Sequence, residues 1–227
     1  MTGIVLAARV SEYLGVGDVT TEPPFSTRIL SALNRAADVV GAEAALPIGS
    51  RTETAGATYS FTVHATIRPD MILSAEAEGP YGSNPLAIIQ PSEMYSINLQ
   101  DTSTSGAPQR PVALVVDLVA STVTLFPKSY SSFQSTIRYT GVLKSVDMGS
   151  LSAEPWGGAV PSAHLLVAMR AAIGMMEQDG RAEEARALWQ LYERERVMTM
   201  QRVHGPRLGN ELIKRLLTLR DYAGGEK

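Results

Sequence analysis

The hydrophobic period of this chain changes twice along its length, and that limits its fold more than any other feature. Near the start, Ile29, Leu33, Ala36 and Val40 recur at helical spacing within Ser26–Val40. Ile4–Leu14 reads as a shorter helix before it, closed by Gly15-Val16-Gly17. From Ala57 to Ile67 the period drops to two: Tyr59, Phe61, Val63, Ala65 and Ile67 alternate with Ser60, Thr62, His64 and Thr66, as in a strand with one buried face. Shorter strand candidates follow at Met71–Ala77, Leu86–Ile89, Met94–Leu99, Val112–Leu118, Thr122–Phe126 and Ile137–Leu143. Turn-rich pieces such as 78–85 and 102–108 separate them, which suggests a small antiparallel sandwich or barrel.

After a Gly/Ser/Pro-rich linker at Met148–Val160 the helical period returns. Pro161 opens a helix in which Leu165, Leu166, Met169, Ala172, Ile173 and Met176 form one stripe. Asp179-Gly180 ends it, and Asp179 is placed to cap the next helix, whose first turn carries Glu183 and Glu184. Ala182, Ala185, Leu188, Trp189 and Tyr192 mark the buried side of that helix. Arg181, Arg186, Glu193, Arg194, Glu195 and Arg196 mark its exposed side. The short loop favours an antiparallel pair. Gly205-Pro206 then precedes Leu208, Leu212, Leu216 and Leu219, the stripe of a third helix. The expectation is an α+β fold: an α-helical bundle of residues 1–48 and 155–227, interrupted by a β insert at 49–154.

The 44% hydrophobic content supports a real core, while the 6% aromatic share argues against a large aromatic-lined pocket. A net charge of −3 argues against general nucleic-acid binding. Absence of cysteine excludes a disulfide framework, a thiolate zinc site and a cysteine nucleophile. Met1–Val10 lacks the basic region and cleavage site of a signal peptide, and no stretch is long enough to cross a bilayer, so a soluble chain is expected.

The chemistry-bearing residues do not converge. His64, His164 and His204 lie in three segments without ligand spacing, so no metal site is expected; His64 belongs on a polar strand face and the other two at helix ends. There is no Gly-x-Ser-x-Gly elbow, and Ser129–Ser132 reads as a hairpin loop. Glu76 and Glu78 share a strand face and are the nearest approach to paired carboxylates, although solvated acids at a strand end explain them as well. Gly79-Pro-Tyr-Gly82 lacks the Lys-Ser/Thr of a phosphate loop. Between residues 202 and 220, Arg202, Arg207, Lys214, Arg215 and Arg220 face one acid, Glu211. They suit either a solvated helix face or contact with an acidic protein surface or phosphate. No catalytic residue and no cofactor is expected.

Several stretches carry a family resemblance. Arg28-Ile-Leu-Ser-Ala-Leu-Asn-Arg-Ala36, Val123-Thr-Leu-Phe-Pro127 followed by Ile137-Arg-Tyr139, Val160-Pro161 with His164-Leu165-Leu166, and Asp179-Gly-Arg-Ala-Glu-Glu-Ala-Arg186 leading to Tyr192-Glu-Arg194 are arranged around an inserted β region. In this arrangement the chain resembles the head-to-tail adaptor proteins of tailed bacteriophages, of the tail tubular protein A type. The resemblance implies a non-enzymatic virion protein of the phage neck, assembled in the host cytoplasm. It would form a dodecameric ring under the portal protein that carries the tail nozzle or tail tube protein. Genomic DNA would pass through the ring without sequence-specific binding. In that setting the basic group 202–220 would meet the portal. Two alternatives stand beside it. One is a stopper or tail-completion ring protein. The other is a ligand- or carbohydrate-binding module in the β insert, using aromatics among Tyr59, Phe61, Tyr81, Tyr95, Phe126, Tyr130, Phe133 and Tyr139. An enzyme would have to rest on Glu76, Glu78 and His64.

Overall fold

The computed structural model describes residues 1–17, 25–55, 59–79, 82–91, 111–126 and 136–205. The chain divides into two compact units, Met1–Pro47 with Ser145–Lys227, and Ile48–Lys144. It is a mixed α+β fold with helices before and after a seven-stranded sheet in chain order.

The described helices of the first unit are α1 (Gly3–Leu14), α2 (Phe25–Ala44), α3 (His164–Gln178) and α4 (Ala182–His204). Both N-terminal helices end in a Schellman motif. Gly15, at φ 67°, closes α1 with Val16 N donating to Ser11 O at 3.1 Å. Ala45, at φ 54°, takes the same place after α2, where Leu46 N donates to Gly41 O at 2.9 Å. The centre of the unit is α3, on which α1, α2 and α4 all pack. Leu166, Val167, Ala168, Met169, Ala171, Ala172, Ile173, Met175 and Met176 are all buried. The stripe read from sequence is therefore part of a helix covered on nearly every side, as expected of a core helix. Its small residues let three neighbours approach.

Residues 148–160, read as a linker, form a strap within this unit. Gly3 N and Ile4 N donate to Ala153 O and Leu151 O, both at 2.7 Å, which satisfies two donors of the first turn of α1. The Asn34 amide pairs in both directions with the Met148 backbone, accepting at 2.8 Å and donating at 3.1 Å. Trp156 is buried and donates to Ala37 O. The third helical stripe, Leu208–Leu219, lies outside the described residues.

The sheet comprises β1 (Ile48–Thr54), β2 (Ser60–Thr62), β3 (Ile67–Gly79), β4 (Gly82–Ile89), β5 (Ala113–Asp117), β6 (Thr122–Phe126) and β7 (Thr136–Leu143), in the order β1-β7-β3-β4-β5-β6-β2. It is a curled, open half-barrel, which corrects the expected closed sandwich or barrel. Period-two alternation specifies that each strand has a buried face, but closure depends on which edges pair. Here β1 and β2, neighbours in sequence, end at opposite edges. Nor is the sheet purely antiparallel, because β4 and β5 run parallel. The expected strand Ala57–Ile67 is also broken: β2 stops at Thr62, and Ile67 N donates to His64 O across a turn before β3 begins.

One face of the sheet holds the main core, including Ile67, Leu114, Val123, Leu125, Ile137 and Tyr139. β5 is buried on both faces, since Ala113 and Val115 join Ile89 and Phe126 in a second cluster. Its unbroken apolar run fits that position. β3 bulges where it pairs β7 near Ile72, opposite Gly141. No described helix is long and apolar enough to cross a membrane.

Candidate interaction surfaces

Most polar groups singled out from sequence have structural partners. Glu76 and Glu78 lie across from β7, where Arg138 meets Glu76 at 3.6 Å and Glu78 at 3.3 Å; Ser83 Oγ also donates to Glu76 at 2.7 Å. Register explains this, because Glu76 opposes Arg138 directly and Glu78 is one diagonal away. The two carboxylates thus share one guanidinium.

Each of the three histidines has its own setting. His64 sits exposed in the turn after β2, with its backbone N–H donating to the Tyr139 hydroxyl at 2.9 Å. His164 is wholly buried at the start of α3. Its Nε2 donates to Ala159 O at 3.0 Å, and its Nδ1 accepts from the Met1 amine at 2.8 Å. Burial holds its pKa below the ordinary 6.5, opposed by the Ala159 contact and reinforced by the Met1 charge. An imidazole more acidic when folded than when unfolded stabilises the fold fully above about pH 6.5. That stabilisation is lost as pH falls below 6.5 towards the folded pKa, because the unfolded chain takes up the proton first. Thermal midpoints of the wild type are therefore expected to fall between pH 7.5 and 5.5 more steeply than those of His164→Gln; equal slopes would show that His164 is not the responsible group.

Arg196, assigned by sequence to the exposed side of α4, is buried at 6% exposure. Its Nη1 donates to Glu43 O at 2.7 Å, and its Nε and Nη2 donate to Glu193 at 3.1 and 2.6 Å. His204 Nε2 reaches Ala44 O at 3.1 Å. Two side chains of α4 thus satisfy the last carbonyls of α2, where the macrodipole also favours a cation. The fully buried Tyr192 donates to the Glu43 carboxylate; burial first, then the Glu43 charge and that hydrogen bond, push its pKa far up and keep it a donor. Arg170 lies over the Trp189 ring at 4.8 Å and 3.9 Å from Glu43. The signal for Arg196 was present in the sequence, since Ala185, Leu188, Tyr192, Arg196 and Thr199 lie on one stripe and all are buried. Asp179 does not cap α4; it pairs with Arg28, and Arg181 occupies the cap position, pairing with Glu184 and donating to Leu14 O at 2.9 Å.

The outward faces of the helices carry apolar residues instead. On α1, Ile4 is 52% and Val5 46% exposed; on α4, Leu191 is 45% and Met198 41% exposed. Leu191 and Met198 are two turns apart on one side, with the exposed Arg194 between them and Arg202 beyond. A third apolar point is the β5–β6 turn, where Asp117 Oδ1 accepts from Val119 N at 2.9 Å and Ala120 N at 3.0 Å, leaving Val119 98% exposed. Of the basic group expected to meet a partner, Arg202 is exposed in the last turn of α4; Arg207, Lys214, Arg215 and Arg220 lie outside the described residues.

Among the described residues no three acids or histidines converge as metal ligands. A cleft between α2 and α3, lined by Ala32, Arg35, Ala36, Val39, Arg170 and Gly174 among others, has a volume of about 60 Å³, whereas a wide, shallow depression along α2 at Thr27, Leu30, Ser31, Asn34, Arg35 and Asp147 reaches about 400 Å³. The aromatics of the sheet are committed to packing, with Phe61 and Tyr139 ring centroids 5.7 Å apart at the main core. Tyr81, Tyr95, Tyr130 and Phe133 lie outside the described residues. No protein-family model matches the chain, and no curated protein matches it either.

Proposed function

We propose that this chain is a non-enzymatic head-to-tail adaptor of a tailed bacteriophage, building a ring under the portal protein that lengthens the DNA channel and carries the tail. The observation that carries the reading is the pair of outward apolar patches on two different helices, Ile4 and Val5 on α1 and Leu191 and Met198 on α4. A closed ring of identical subunits is built from heterologous contacts, so each copy must present two unlike surfaces. Separate exposed apolar residues on one helical unit supply such a pair, and α3, buried on nearly every side, gives them a rigid support. The apolar turn at Val119 offers a further contact for the tail, and Arg202 begins the basic segment that would meet the portal.

Quantitative mass spectrometry of purified phage particles tests the reading. The chain is expected at a copy number equal to that of the portal, and Leu191→Glu combined with Met198→Glu is expected to leave the fold intact but remove the chain from particles. A stopper protein would also be present in particles but would bind the adaptor ring, not isolated portal. Absence of the wild-type chain from particles would end the structural reading.

A further inference from the structure

We infer that the edge of β1 that no strand covers among the described residues pairs with the same edge of a second copy, antiparallel and in one register, with Thr52 opposite Thr52. β1 is at the end of the sheet order, and its seven residues pair with β7 in unbroken register from Ile48↔Val142 to Thr54↔Thr136. It is neither short, bulged nor interrupted by proline; the device that guards it against other strands is the inward-facing charge of Arg51 and Glu53. The other edge, β2, is three residues long and is protected by that length.

The side chains of β1 select the partner. Arg51 and Glu53 point to the same face as Tyr139 and Ile137, their cross-strand neighbours, and are half-buried. Arg51 donates to Ser50 O at 3.0 Å and to Thr66 Oγ1 at 3.2 Å; neither it nor Glu53 has an ion pair among the described residues. An uncharged strand laid on this edge would cover both charges without pairing them, which is unfavourable. In antiparallel self-pairing centred on Thr52, Arg51 opposes Glu53 of the second copy and Glu53 opposes its Arg51. Each charge then has an opposite one beside it along the strand and across it.

The backbone fits the same register. Ser50 O accepts from Arg51 Nη1, and in an antiparallel ladder the groups that face a neighbour recur on alternate residues, which in the proposed register are Ser50, Thr52 and Thr54. Pairing Thr52 with Thr52 and Ser50 with Thr54 sets these outward groups against one another and brings hydroxyls together on the exposed face. A two-fold contact of this kind differs from the heterologous contacts of a ring, and it holds whether or not the chain is an adaptor.

The chain contains no cysteine, so single cysteines read the register directly. In the full chain under mild oxidation, Thr52→Cys is expected to give a covalent dimer, because two residues opposite one another in the bonded positions have Cα atoms about 5.5 Å apart, within disulfide reach. Ser50→Cys alone and Thr54→Cys alone are expected to remain monomeric on denaturing gels, while their mixture cross-links. Arg51→Glu alone is expected to weaken dimerisation roughly tenfold in sedimentation, and Arg51→Glu with Glu53→Arg to restore it. Cross-linking of Thr54→Cys with itself, absence of cross-linking at Thr52→Cys, or failure of the double reversal to restore the dimer would each overturn the pairing. Circular dichroism of each variant separates these outcomes from loss of fold.

Discussion

Arg196→Met is expected to destabilise the helical unit by about 3 kcal/mol, the range for removing one partner from a buried, charge-assisted set of hydrogen bonds. Methionine keeps the length and most of the apolar contact of the arginine stem, so the loss reports the guanidinium itself. With it go the bond to Glu43 O and the cation at the end of α2. Glu193, its ion-pair partner at 2.6 Å, has a side chain 35% exposed and regains water. Most of the loss therefore comes from the carbonyl of α2. Glu193→Gln is accordingly expected to cost under about 1 kcal/mol, as for a partly exposed ion pair. Denaturant unfolding followed by far-ultraviolet ellipticity measures both. Equal small losses for the two variants would show that Arg196 acts as an ordinary surface residue, as its charge alone suggested.

The second large effect has a sign opposite to what strand propensity indicates. Valine is a better strand residue than glycine, and by that preference Gly141→Val in β7 should be stabilising. It is instead expected to destabilise the sheet unit by about 3 kcal/mol, the upper part of the range for overpacking. A Cβ at Gly141 would lie 2.8 Å from Ile67 Cγ2, 3.0 Å from Met71 O and 3.4 Å from Ile72 Cα. Two of those atoms are backbone, in the stretch where β3 bulges, so they cannot turn aside as a side-chain tip would. Thr140→Val, one position away on the other face, adds no Cβ and loses only the exposed hydroxyl contact with Ser50 Oγ at 3.0 Å, so it serves as the comparison with a small expected loss. A Gly141→Val protein as stable as wild type would mean that the bulge in β3 can yield.

These two positions show why parts of the molecule were legible from sequence and others were not. The spacing of Ile29, Leu33, Ala36 and Val40 placed α2 correctly because helical period is a local property and the same residues meet the core. The alternation of Thr122–Phe126 marked β6 to the residue for the same reason. Glu76 and Glu78 were visible as neighbouring carboxylates, but their partner Arg138 is about sixty residues distant and is brought there by strand register. The exposed apolar patches were not singled out, because Leu191 and Met198 look like any other apolar residue until the helix is rotated by what packs against it.

The sequence alone determined the helix–strand–helix order of the chain and the buried faces of α2 and α3, since both follow from the period of apolar residues over a few turns. Tertiary structure decided the rest: that the sheet stays open with β1 and β2 at its ends, that α3 is covered on nearly every side, and that Arg196 and Tyr192 both meet Glu43 at the end of α2. Each of these depends on residues far apart in the chain. Tyr192 and Glu43 are 149 positions apart, and no local pattern encodes which distant carboxylate a buried hydroxyl will meet.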